Sequence, residues 1–304
     1  YNVAIGNYAL TTDASSGKCV AIGYEALKVQ NTANSNNVAI GYQAGVALNG
    51  GTDSVYVGYK AGGAGVIAGS QNTVIGKGAA LNATDMHESV FIGFEAGGLG
   101  VVTGGDNVVI GRGAGYDLTS GESNVLVGRN AGTDLTDGAR NIAIGHSALA
   151  AANLGESYNV AIGHGAMESE TSGADYCVAV GYAALNLQNA NIKNTAIGGL
   201  AGDAITTSTG NTLLGYLAGS ALDTISNGGY NTAIGDQAMA RGKGNGNVAV
   251  GHGSLYSATL AANDNVAVGK DAGAAITDGP GNVLIGRSAG TAMTTGDYNV
   301  AIGH

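Results

Sequence analysis

The chain has no tryptophan, two phenylalanines and a single proline, Pro280, among its 304 residues, so it lacks the bulky apolar side chains of an ordinary globular core of this length. Only 11% of residues are charged and the formal net charge is −10, with the twelve lysines and arginines scattered. That disfavours a nucleic-acid backbone as partner, since phosphate contacts need a clustered basic footprint. No apolar run reaches the eighteen residues of a membrane span, and no charged-then-apolar leader is present. There are two cysteines, Cys19 and Cys177, too few for a disulfide framework, and nine repeats separate them, about 43 Å at strand spacing. They read as small buried thiols rather than a bridge.

What the chain has instead is glycine, 55 residues of it, and a repeated phrase. Asn2-Val3-Ala4-Ile5-Gly6 recurs eighteen times, its closing glycines running from Gly6 and Gly23 to Gly286 and Gly303, mostly 17 or 18 residues apart. A unit this short cannot bury a core alone, so the copies must stack. The expected fold is all-β, a parallel β-solenoid (β-roll) of about eighteen coils read as one domain over 1–304, uncapped at both ends and cut from a longer fibre. At about 4.8 Å per coil it would make a rod on the order of 80 Å long.

Numbering each coil from its glycine as zero, position −3 is Val, Ile or Thr and −1 is Ile, Val or Leu in all eighteen copies. β-branched residues two apart indicate a short strand, with both expected to point into the coil. Position −2 is Ala in eleven copies and Tyr56, Val74, Phe91, Val109, Leu126, Leu213 and Leu284 in the rest, never polar. A strand apolar on both faces is covered on both, so −2 is expected to meet another layer or a neighbouring chain, and a charge there to block assembly. The five bulky residues from Tyr56 to Leu126 suggest a wider space facing that column. Position +3 is Ala in sixteen of seventeen copies, with Ser254 the exception, marking a tightly packed corner. Position −4 is Asn in fourteen copies, with Ser54, Ser89, Cys19 and Cys177 in the others, and predicts a side-chain ladder from coil to coil. The remaining Thr, Ser, Asp, Asn and Gly are loop residues, and the one break in rhythm, twenty residues from Gly215 to Gly235, predicts a local protrusion over 222–229.

Motifs that look catalytic dissolve into the repeat. Gly286-Arg287-Ser288-Ala289-Gly290 matches a nucleophile elbow but has no strand-to-helix context, and Gly111-Arg112-Gly113-Ala114-Gly115 resembles a phosphate loop only because the repeat is glycine-rich. No enzyme activity, cofactor or metal site is expected. The column that could carry binding is +1, which holds Tyr24, Tyr42 and Tyr59, then Arg112, Arg129, His146 and His164 among others. Such side chains can stack as an aromatic and cationic ladder, and an exposed ladder could hold sugars. Four threonines at −3, Thr73, Thr195, Thr212 and Thr232, are too irregular for an ice-binding array and are expected to face the core.

Asn194-Thr195-Ala196-Ile197-Gly198 and Asn231-Thr232-Ala233-Ile234-Gly235, each followed by x-x-Ala and a Thr/Gly-rich loop, resemble the repeat arrays of bacteriophage tail fibres. The Asn-Val-Ala-Ile-Gly copies also resemble the head repeats of trimeric autotransporter adhesins, which are shorter, roughly fourteen residues. The resemblance implies a homotrimer, a virion or cell-surface location, and attachment to a host receptor or glycan. It carries over no catalytic or receptor-contacting residue. A bacterial adhesin head and a monomeric ice- or polysaccharide-binding solenoid are the alternative readings.

Overall fold

A computed structural model describes residues 1–304 apart from 14–16, 32–34, 64, 153–154, 170–172, 190–192, 223–228 and 258–261. It is all-β, and the chain divides into two units, Tyr1–Ser157 and Tyr158–His304. Each is a parallel β-solenoid with nine three-residue strands, one at positions −3 to −1 of every coil, from Val3–Ile5 to Ile142–Ile144 and from Val160–Ile162 to Val300–Ile302. Within each unit neighbouring strands pair in parallel and in register, so Val108, Val109 and Ile110 sit against Val125, Leu126 and Val127. A minor parallel sheet joins Thr12–Asp13, Val29–Gln30 and Ala47–Leu48. The protrusion expected over 222–229 falls on 223–228, outside the described residues.

Every strand points the opposite way from the sequence reading. The −2 side chains fill the coil: Ala21, Tyr56, Phe91, Leu126, Ala143, Ala161 and Leu284 are all fully buried within the single chain. The −3 and −1 side chains face outward, with Ile40, Ile144 and Ile285 38–39% exposed and the threonines Thr73, Thr195, Thr212 and Thr232 on the same outer face. A charge at Ala143 or Ala161 therefore breaks the coil itself rather than an interface, because it puts an unpaired ion into the core.

Size complementarity with position +4 explains the inversion. Where −2 is bulky, +4 is small: Tyr56 faces Gly62, Phe91 faces Gly97, Leu213 faces Gly219, and a Cβ at any of these three glycines would come 2.6 Å from the ring or methyl carbon. Where −2 is Ala, the buried +4 side chain is often Leu or Met, as at Leu27, Leu149, Met167, Leu185, Met239 and Leu255. Gly45, Gly202 and Gly273 precede a coil whose −2 residue is Tyr56, Leu213 or Leu284, and each makes room for that residue from the coil before it. The bulky stretch from Tyr56 to Leu126 thus fills space vacated at +4, not space beyond the coil.

The corners are made by left-handed backbone. Among the described residues, thirty-five non-glycine residues have positive φ, and every one falls at −5, +2 or +4. Each costs about 1–2 kcal/mol relative to glycine, and the turn aims the N–H at a neighbouring coil, the preceding one at −5 and +2 and the following one at +4. At +2, for example, Gln43 N–H donates to Tyr24 C=O at 2.8 Å, and Lys60 N–H to Tyr42 C=O at 2.8 Å. The asparagine ladder forms as the sequence predicts. Asn124 N–H donates to Asn107 Oδ1 at 3.0 Å while Asn124 Nδ2 donates to Gly138 C=O at 2.8 Å, and Asn141 N–H donates in turn to Asn124 Oδ1 at 2.9 Å. Ser54 keeps the ladder continuous: its N–H donates to Asn37 Oδ1 and its Oγ accepts from Asn72 N–H at 3.0 Å, while its own hydroxyl donates to Thr52 C=O rather than across to the next coil. Cys19 and Cys177 are buried thiols that form no disulfide. Their backbone N–H groups still donate to Asn2 and Asn159 Oδ1 at 3.0 Å.

Two outcomes are expected from this core. Ala161→Leu overfills its coil and lowers stability by about 1–3 kcal/mol, and adding Met167→Gly restores most of the loss, so a double-mutant cycle by denaturant unfolding shows strong coupling. Tyr56 carries a buried hydroxyl with no hydrogen-bond partner, and burial, opposed by nearby Ser54 and Asn72, pushes its pKa up to about 12. The neutral phenol is the folded form, so its contribution is complete below the unfolded pKa of about 10 and is lost as pH rises toward 12. Tyr56→Phe should be neutral or stabilising by about 1 kcal/mol at pH 7. It should also flatten the loss of stability above pH 10, measured by melting as a function of pH.

Candidate functional site: an aromatic and cationic ladder with clefts beside it

Position +1 follows the outward turn of the closing glycine, so its side chains stand clear of the coil. All seven candidate residues, Tyr24, Tyr42, Tyr59, Arg112, Arg129, His146 and His164, are exposed. In the first unit Tyr24 and Tyr42 stack with ring centroids 5.2 Å apart and planes 13° from parallel, and Tyr42 and Tyr59 at 5.1 Å and 9°. Tyr8, one position further along its coil, closes the row edge-on against Tyr24 at 6.0 Å. The row continues through cations. Lys77 Nζ lies 5.9 Å from the Tyr59 ring and 5.4 Å from Phe94, and the Arg112 guanidinium carbon lies 5.9 Å from Phe94 on its other side. Parallel in-register strands hold these side chains one coil apart, a spacing close to aromatic stacking distance. In the second unit His164 stacks on Tyr182 at 5.6 Å.

Electrostatics favour the ladder. Glu25 is held below the usual carboxylate range, first by Lys28, whose Nζ donates at 2.6 Å, and then by Gln43 Nε2 at 2.7 Å. The Glu25 charge in turn raises the neighbouring Tyr24 phenol, keeping it neutral.

Beside this column, at Gly113, Gly165 and Gly253 of position +2, the surface opens into clefts that the sequence reading missed. In the first unit one cleft of 180 Å³ is lined by Glu95, Arg112, Gly113, Tyr116, Asn130 and Thr133. The second unit has one of 320 Å³ that includes His164, Gly165, Glu168, Tyr182, Asn186 and Asp203, and another of 230 Å³ with Gln237, His252, Gly253, Tyr256, Asp271 and Ala274. Asn186 Nδ2 donates to Gly165 C=O at 3.0 Å and lies 3.3 Å from Glu168 Oε2. Asp203 Oδ1 is buried without a hydrogen-bond partner, and burial raises this carboxyl, partly offset by the backbone N–H groups of Asp203 and Ala204. His252 Nδ1 lies 3.6 Å from Asp271 Oδ1. The signal available in sequence was Gly-basic-Gly, at 76–78, 111–113, 163–165 and 251–253, because glycine at +2 occurs only behind Lys, Arg or His.

A second exposed aromatic column was also missed. At −5 in the second unit Tyr158 and Tyr176 stack at 4.9 Å and 5°, and Tyr230 and Tyr298 are 74% and 80% exposed. No protein-family model matches the chain, and no curated protein matches it at a significant level.

Proposed function

We propose that the chain is a structural segment of a homotrimeric attachment fibre on a virion or cell surface, one that supplies reach and presents its ladder to a host receptor or glycan. The observation that carries this reading is the outward −3/−1 face. Val and Ile dominate it, and Ile40, Ile144 and Ile285 are 38–39% exposed in the single chain. Nine strands in each unit each present two such side chains outward, so the face is a continuous apolar stripe of the kind that marks an interaction surface. Another copy of the chain is the partner whose rungs recur with the same period, so its Val and Ile columns match this face coil for coil. The likeness to tail-fibre and trimeric-adhesin repeats supports three chains rather than two. Uniform repetition of the phrase that mimics catalytic motifs favours a structural role over an enzymatic one.

Mass measured in solution by light scattering is expected to give three chains, and a stable monomer overturns the reading. Ile110→Lys together with Ile144→Lys, both outward at −1, should yield folded monomers, since the coil interior is untouched and only the shared face gains charge. Replacing Tyr24, Tyr42 and Tyr59 together by Ala is expected to abolish binding to host cells or to a glycan panel while the assembly stays intact. Unchanged binding would remove the ladder from the contact surface.

A further inference from the structure

The three clefts beside the +1 column share one chemistry despite their different sequences. Each holds a basic +1 side chain, a tyrosine, a carboxylate and an amide around a glycine at +2. Arg112, Tyr116, Glu95 and Asn130 supply the set in the first unit. In the second unit His164, Tyr182, Glu168 and Asn186 supply one, and His252, Tyr256, Asp271 and Gln237 the other. These side chains come from +1, +2 and +5 of up to three consecutive coils, so the recurrence is a register effect that no single five-residue phrase encodes.

Glycine at +2 is not demanded by the backbone. The same left-handed conformation is held by Glu25, Lys60 and Asn130 at φ 54–56°, so side chains are tolerated at this corner. What the glycines provide is room. A Cβ at Gly113 would stand 3.0 Å from Asn130 Oδ1, one at Gly165 3.0 Å from Glu168 Oε2, and one at Gly253 2.9 Å from Asp271 Oδ1. The polar groups of the cleft lean into the vacated space.

We infer that these clefts are equivalent subsites for a neutral hexopyranose ring, taken either as a single sugar or as one residue of a surface polysaccharide. Volumes of 180–320 Å³ lie at or below the roughly 300–1,000 Å³ of drug-sized pockets, a size for one ring. A tyrosine offers an apolar face to the ring's C–H surface and a hydroxyl at its edge. Carboxylate and amide oxygens accept from sugar hydroxyls, and the basic group with the amide N–H donates to them. Charge within the set favours a neutral guest over an anion. Arg112 is offset by Glu95, His252 sits 3.6 Å from Asp271, and the third cleft carries two carboxylates beside one histidine. Asp203 Oδ1, buried and unpartnered there, is an acceptor a sugar hydroxyl would satisfy.

The inference deepens the glycan contact proposed above and places it in the clefts. The test titrates the full chain with a panel of methyl hexopyranosides, with inorganic phosphate and choline as charged controls, followed by NMR. The triple variant Gly113→Asn, Gly165→Asn and Gly253→Asn fills the floors with a residue that position +2 already accepts at Asn130. It is expected to weaken hexopyranoside binding roughly tenfold or more with circular dichroism and oligomeric state unchanged. Tyr182→Ala removes a side chain that is 60% exposed, outside the core, and is expected to weaken the 320 Å³ site alone. Failure of the wild-type chain to bind any hexopyranoside, equal binding by the triple variant, or preference for phosphate or choline overturns the proposal. A monomer that binds hexopyranosides through the clefts keeps this inference and defeats the trimer, whereas a surface-binding trimer indifferent to hexopyranosides does the reverse.

Discussion

The closing glycine of each coil has φ between +126° and +142°, a region essentially closed to any other residue, and within each unit the space where its Cβ would stand is taken by the next closing glycine wherever one follows. At Gly58 a Cβ would lie 2.7 Å from the Gly76 carbonyl oxygen, and at Gly235 the same distance from that of Gly251. This contact lets the chain leave the strand, turn outward and still return in register. From it follow the exposure of +1, the left-handed turn at +2, and the buried alanine at +3 that donates its N–H back to the glycine carbonyl, as Ala61 does to Gly58 at 3.5 Å.

Much of this was legible and one part was read backwards. The period, the strand and the asparagine ladder follow from residue type, because β-branched pairs and amides each favour one arrangement. The direction of the strand did not, since a segment apolar at −3, −2 and −1 gives alternation no polar face to mark the outside. The discriminating signal was the pairing of bulky −2 with glycine at +4, as in Tyr56 with Gly62, which requires the two to share one interior. The left-handed corners were equally hidden. Tyr8, Leu27 and Met167 are poor residues for positive φ, and closure of the coil imposes it on them against local preference.

The candidate site was half visible. A run of tyrosines at one repeat position announces a column, and the structure sets Tyr24, Tyr42 and Tyr59 in parallel stacks on the surface. Clefts are a different matter, because Glu95, Arg112, Tyr116 and Asn130 come together only when three coils are stacked. The faces of the coil accordingly differ in character: apolar along −3 and −1, aromatic and polar along +1 and +5, with the ladder of asparagine amides buried between coils.

The size matching between −2 and +4 also governs how such a chain can change length. Duplicating or deleting a whole coil leaves strand register and glycine stacking intact, so the backbone is indifferent to coil number. Side chains are not, because Gly45 precedes Tyr56 and Gly202 precedes Leu213, each hollow made for the residue one coil later. A recombination joint that set Leu27 or Leu185 directly before a coil with a bulky −2 residue would overfill the core, whereas joints between alanine-type coils are silent. Heredity of this sequence is thus quantised in coils and restricted in its order, with the grammar written in the volume of two side chains.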